Sequence, residues 1–185
     1  MNSKRNLNPF RASKIDLSAL YVTIENNHPF NRLEPGIHGA GHARRVLLFS
    51  QLIAALIEEA PDAVPVDRPL LLIASLLHDC GRRNNGIDPE HAYRSAEMAV
   101  EFCRRHDIGC DREKLRDCIR YHCKSGCYPL RDPSIEARIL ADADKLDRFR
   151  FHSASSPLNA SLLELNVSHD LIPMARDLNG HPSAC

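Results

Sequence analysis

Leu70-Leu-Leu-Ile-Ala-Ser-Leu-Leu-His-Asp79 decides how the rest of the chain is read. Apart from Ser75, the residues from Leu70 to Leu77 are apolar, and the run then closes on His78 and Asp79. Asp67 and Pro69 supply helix-start chemistry just ahead. The spacing therefore predicts a helix over 67–80, with Leu71, Ala74, Ser75 and His78 sharing a face. A helix that is apolar all round belongs in the middle of a protein. An imidazole or carboxylate beside buried leucines costs kilocalories unless something satisfies it.

Working outward, the same two residue types recur on other helical stripes. Upstream, His42, Val46, Phe49, Ile53 and Leu56 have helical spacing within 42–60. Before them, Ser13 and Asp16 offer a capping-box-like start to a helix through 26, and 28–41 carries the Pro and Gly punctuation of a loop. Downstream, 81–87 is a polar connector, and Asp88-Pro89-Glu90 starts a helix with His91, Ser95, Met98 and Phe102 along one side. Asp111 caps a helix on which Leu115, Cys118, Ile119 and His122 line up. Asp132-Pro133 repeats the start signal ahead of Ala137, Leu140, Ala141 and Asp144. Shorter helices are expected over 158–165 and 172–178, and no segment alternates like a strand. The expectation is an all-α single domain of about six to eight helices built around a metal site. Its parts are an N-terminal helix and loop over 1–37, a metal-binding core over 38–150, and a helical extension of the same domain over 151–185.

Composition narrows the function classes. The chain has 185 residues, enough for one domain with a substantial core. Its 24 basic and 24 acidic residues cancel, so no global field attracts a nucleic acid polymer or an anionic membrane. Aromatic residues are few and tryptophan is absent, which argues against a base-stacking surface. Seven irregularly spaced cysteines fit reduced thiols better than a disulfide framework or a four-cysteine zinc site. Met1 to Lys14 is polar and basic, unlike a signal peptide, and the expected location is cytoplasmic.

A lone histidine on an apolar helix face is usually a hydrogen-bonded core residue. Here five helices each present a His or Asp on the apolar side, and one presents two in succession. Satisfying each separately would take several polar solutions, whereas one metal centre satisfies them together. Imidazole and carboxylate without thiolate suit one or two divalent ions of Fe, Mn, Ni, Co, Zn or Mg. Such a centre acidifies a bound water and polarises a phosphoryl oxygen.

The pattern of His, then His-Asp, then a distant Asp resembles the HD superfamily of metal-dependent phosphohydrolases. The residues that carry it are Gly41-His42-Ala43-Arg44-Arg45-Val46, Leu77-His78-Asp79-Cys80-Gly81-Arg82 and Leu140-Ala141-Asp142-Ala143-Asp144-Lys145-Leu146-Asp147. The resemblance covers roughly residues 38 to 150. It implies a helical bundle with His42, His78, Asp79 and Asp144 as metal ligands. The family's Ala-Asp-x-Leu spacing selects Asp144 over Asp142, leaving Asp142 and Asp147 to solvent or to contacts behind the ligands. In the family's dinuclear members two more histidines lie between the His-Asp pair and the last Asp. That implies a second ion on His91 and His122, bridged by Asp79. Arg45 matches the family's His-x-x-Arg-Val, Arg82 stands where many members have Lys, and Lys145 follows the last ligand; these three are the candidate phosphate contacts, Asp79, Arg45 and Arg82 the candidate catalytic residues. His38, four residues before His42, fits a pocket residue or a loop histidine, and is read as the latter.

Departures from the family pattern narrow the branch. Members that hydrolyse (p)ppGpp carry Glu-Asp soon after the His-Asp pair, where this chain has Arg82-Arg83-Asn84-Asn85. Mononuclear 5'-nucleotidase members also use an acidic residue near Arg82. Gly126-Cys127-Tyr128-Pro129 resembles the Gly-Tyr-Pro segment of the HD-GYP phosphodiesterases, but Cys127 interrupts it and Cys123 replaces a histidine. The 81–88 connector is more similar to that of small bacterial HD proteins. The expected function is hydrolysis of a phosphoester of a nucleotide or other small phosphorylated metabolite. The alternatives are a diiron oxygenase on the same scaffold and a non-catalytic nucleotide-binding regulatory module.

Overall fold

The Asp67 carboxylate accepts a hydrogen bond from the Leu70 amide at 3.0 Å and starts the central helix where the sequence signals it. The structure, a computed structural model, describes residues 16–27, 37–123, 132–151 and 159–180. Regular structure among them is helical throughout: α1 (Leu17–Asn27), α2 (Ala40–Glu59), α3 (Arg68–Leu77), α4 (His91–Arg105), α5 (Arg112–His122), α6 (Ile135–Asp147), the single turn α7 (Asn166–His169) and α8 (Ile172–Gly180). The all-α reading holds.

α3 is buried along its whole length from Leu70 to Leu77. It packs on α2, and α6 lies against both α2 and α5, while α4 runs along α5. Phe49 and Ile53 of α2, Leu71 and Ile73 of α3, Leu115 and Ile119 of α5, and Ile139 and Leu140 of α6 are fully buried together. Each such side chain contributes about 1.5–3 kcal/mol of burial free energy. One end of this core is polar, and the His and Asp residues collect there.

Some helix ends differ from the sequence expectation, at Asp88 because its side chain is engaged elsewhere. Asp16 caps α1 through the Ser18 and Ala19 amides at 2.9 and 3.2 Å; Ser13 lies outside the described residues. Asp88 does not cap α4, because its carboxylate is held by Arg94 at 2.5 and 2.6 Å and by the Arg83 amide at 3.0 Å. α4 begins instead at His91. Ser134, not Asp132, caps α6 through the Ala137 amide. Met98, placed by spacing on the inner side of α4, is 44% exposed; Ala92, Ala96 and Ala99 line that face. The Gly126–Pro129 segment and Cys127 lie outside the described residues.

Two buried carboxylates tie the bundle together. Glu136, at the start of α6, accepts from the Asp67 amide at 2.8 Å and pairs with Lys114 of α5 at 2.9 Å. Asp142 accepts from the Glu164 and Leu165 amides at 2.9 Å and so docks the C-terminal segment, whose Leu163, Leu165 and Ala175 are buried.

Candidate metal centre

α3 stops at Leu77, earlier than the spacing predicts, and the chain turns sharply through His78, Asp79 and Cys80. Gly81 permits this turn: a Cβ there would come within 2.5 Å of the Ser95 nitrogen and 2.8 Å of the Arg94 backbone. The Gly81 amide instead donates to Ser95 Oγ at 2.9 Å, locking the turn onto α4.

The histidines reach the centre by one repeated device. His78 Nδ1 lies 2.8 Å from the Ser75 carbonyl, His91 Nδ1 2.6 Å from that of Asp88, and His122 Nδ1 2.5 Å from that of Ile119. A carbonyl oxygen only accepts, so Nδ1 must carry the proton, and the neutral ring presents a bare Nε2 lone pair. At the ends of α3 and α5 this bond also satisfies a carbonyl that the helix leaves without a partner. His42 is oriented instead by Asp147, whose Oδ2 lies 2.6 Å from Nδ1.

The bare nitrogens converge. His42 Nε2 is 3.0 Å from His78 Nε2, 3.3 Å from Asp144 Oδ1 and 3.5 Å from Asp79 Oδ2; His78 Nε2 is 3.7 Å from Asp79 Oδ2 and 3.9 Å from Asp144 Oδ1. On the other side of the same carboxylate, Asp79 Oδ1 is 3.3 Å from His91 Nε2 and 3.6 Å from His122 Nε2, which are 3.2 Å apart. Donors about 2.1 Å from a common ion sit roughly 3.0–3.4 Å from one another, so this spacing fits a metal. The chemistry agrees. Asp79 Oδ1 is buried with no hydrogen-bond partner. Lone pairs facing lone pairs at these distances repel unless a cation lies between them.

Electrostatics keep His78, His91, Asp79 and Asp144 in ligating form. At His42 burial is outweighed by Asp144, Asp147 and Asp79, which hold its pKa well above the ordinary 6.5, so an ion must displace a proton there. Burial lowers the His78 pKa to about 4, and burial, with a second imidazole close by, lowers that of His91 to about 4, so both rings are neutral at neutral pH. Burial opposes ionising Asp79, but His78, His122, His38 and His42 outweigh it and hold its pKa well below the usual range. Asp144 is likewise held low, against its burial, chiefly by His42.

The structure thus brings together His42, His78, Asp79, Asp144, His91 and His122. It also brings in His38, whose part in the cluster sequence reading missed, and gives Asp147 its place behind a ligand. His38 sits in the turn before α2 and is not a bystander: its Nδ1 lies 2.8 Å from Asp79 Oδ2, and with His42 and Asp79 it forms a further potential ligand group. Asp147 is fully buried behind His42, held also by Arg45 Nε at 2.6 Å and Arg150 Nε at 2.9 Å. Its signal was present, since it lies one turn beyond Asp144 on the same helix. Asp142 is equally buried, so neither aspartate faces solvent.

The cations divide. Arg82 borders the donors, with Nε 3.0 Å from Asp79 Oδ2 and Nη2 3.3 Å from His91 Nε2. Arg45 is joined to Asp147 through both carboxylate oxygens. Lys145 is corrected as a phosphate contact: its ammonium is taken by the Leu162 carbonyl at 2.8 Å and by Asp142 and Glu164.

Comparison with known proteins returns no match among curated proteins and none among solved structures. The family model described as HD domain matches residues 39–148, the span from the turn before α2 to the end of α6. That match spans more than half the chain and contains every donor described above except His38, so the chain belongs to the HD domain family.

Proposed function

We propose that this protein is a metal-dependent phosphohydrolase acting on a phosphoester of a nucleotide or another small phosphorylated metabolite. HD domain proteins are generally metal-dependent hydrolases, and in this chain His42, His78, Asp79, Asp144 and His122 form groups that could hold a metal ion. The observation that carries the reading is Asp79, whose two oxygens face two separate histidine groups. His42, His78, Asp79 and Asp144 would hold one divalent ion, and His91 and His122 a second against the other Asp79 oxygen. When bound, a divalent ion there supplies Lewis acidity, lowering the pKa of a water and polarising a phosphoryl oxygen.

The chain's own groups do the remaining work. Asp79 orients whatever lies between the two histidine groups. Arg82, a planar guanidinium that stays charged, offsets charge building up on a phosphoryl group. Arg45 acts at one remove, holding Asp147 and through it His42. From the turn before α2, His38 Nδ1 donates to Asp79 Oδ2.

The test is phosphate release across nucleotides and small phosphoesters with Mn, Co, Ni or Mg, run beside Asp79→Ala. Release by the metal-loaded wild type is expected, and the variant should lose metal content and turnover together. Full activity in a metal-free Asp79→Ala protein would overturn the proposal. So would substrate-independent oxygen consumption by the iron form with no phosphate released by any form.

A further inference from the structure

Arg82 stands in a place that a second ion needs. Its Nη2 lies 3.3 Å from His91 Nε2, the same lone pair that would ligate metal, because His91 Nδ1 is already committed to the Asp88 carbonyl. Its Nε lies 3.0 Å from Asp79 Oδ2, and its Nη1 donates to the Gly86 carbonyl at 3.3 Å. The side chain is 9% exposed. One guanidinium therefore touches His91 of the second donor group and, from inside the protein, the Asp79 oxygen that faces His42 and His78.

The fit is imperfect in an informative way. Arg82 Nε is buried yet makes no aligned hydrogen bond, despite its closeness to Asp79. Asp79 Oδ1, the oxygen facing His91 and His122, has no hydrogen-bond partner either. A structural ion pair would have satisfied both. The guanidinium supplies positive charge to the cluster without completing it.

We infer that Arg82 is a built-in competitor for the second ion, so that the two metal positions fill in order and with unequal affinity. This rests on the two-position reading of the cluster proposed above. An arginine stays protonated at any physiological pH and so cannot yield its place by losing a proton. A divalent ion at His91, His122 and Asp79 Oδ1 must move the guanidinium off His91. At the first position the guanidinium meets Asp79 Oδ2, but a carboxylate oxygen can ligate an ion and still accept from Arg82, so an ion there need not displace it from an imidazole lone pair. Once moved, the guanidinium remains beside the centre, where an anionic phosphoryl group offers it a new acceptor.

The experiment is a calorimetric titration of metal-stripped protein with Mn2+, with bound ions counted by electron paramagnetic resonance. The wild type should take one Mn2+ tightly and a second about tenfold or more weakly. In Arg82→Gln the second ion should tighten by about tenfold while the first barely changes. Arg82→Lys provides a check should the glutamine variant fold poorly. Its single ammonium cannot span Asp79 and His91 together, so it too should bind the second ion more tightly. Equal second-ion affinity in wild type and variants, or weaker binding in the variants, overturns the inference and leaves the hydrolase reading standing. Absence of a second ion from every protein overturns the two-position reading and this inference with it. Neither outcome depends on phosphate release.

Discussion

Asp147 follows Asp144 by one helical turn, so α6 presents both carboxylates to the same histidine of α2. Asp144 lies 3.3 Å from His42 Nε2 and Asp147 2.6 Å from Nδ1. The second contact fixes the tautomer and ring angle that the first needs, and it raises the basicity of the ligating nitrogen. Asp147→Ala should therefore weaken metal binding by about 10- to 100-fold, the usual effect of losing an orienting carboxylate. Metal titration with circular dichroism as a fold control checks this, and unchanged affinity in a folded variant would refute it. At this scale the sequence showed which residue types converge but not how each is aimed. Carbonyls three residues back orient His78, His91 and His122, and that depends on where each helix begins or ends. His38 escaped because it sits in a turn, where helical periodicity gives no information.

The helices themselves were largely legible, since an apolar run such as Leu70–Leu77 can lie only in the core and Asp67 and Asp111 cap where expected. Their ends were less so, because a charged side chain near a helix start has rivals for its attention. Asp88 is taken by Arg94, and the α4 start moves to His91. Glu136 shows the same competition resolved in favour of assembly, as its carboxylate joins the start of α3, the start of α5 and α6. Burial works against its charge, but the Asp67 amide and Lys114 outweigh that and lower its pKa below the ordinary 4.5. Unfolded chains therefore take up this proton more readily than folded ones, and stability falls as pH drops through and below 4.5. Glu136→Gln should cost about 1–3 kcal/mol at neutral pH, the scale of a charge-assisted hydrogen bond. Urea denaturation at several pH values checks it. The gap between wild type and variant should close in acid, and a gap independent of pH would show that Glu136 is not acting through its charge.

Across the whole molecule, the HD match ends at residue 148, yet the chain continues into segments that cover the core. Leu163 and Leu165 are each 7% exposed and Ala175 is fully buried, so the segment after Asn159 hides apolar surface that the bundle would otherwise show to water. The attachment is polar as well as apolar. Asp142, one residue from the Ala143-Asp144 pair, accepts the Glu164 and Leu165 amides and is joined by Lys145, which also reaches the Leu162 carbonyl. The sequence marked Asp142 as a rival ligand and Lys145 as a phosphate contact because both stand beside Asp144. On a helix, however, neighbours one or two positions apart point to different sides. The same stretch of α6 therefore faces the metal cluster with Asp144 and Asp147 and grips the C-terminal segment with Asp142 and Lys145. If this grip makes residues 159–180 part of one cooperative unit with the core, Asp142→Ala should strand the Glu164 and Leu165 amides, the second of them buried. It should then destabilise the protein by about 2–4 kcal/mol. Hydrogen exchange should quicken first at the Glu164 and Leu165 amides, and equilibrium unfolding should shift as a single transition. If Asp142→Ala instead gave a separate early transition for residues 159–180, with the core transition unmoved, those residues would be an appendage and the HD core would be self-sufficient.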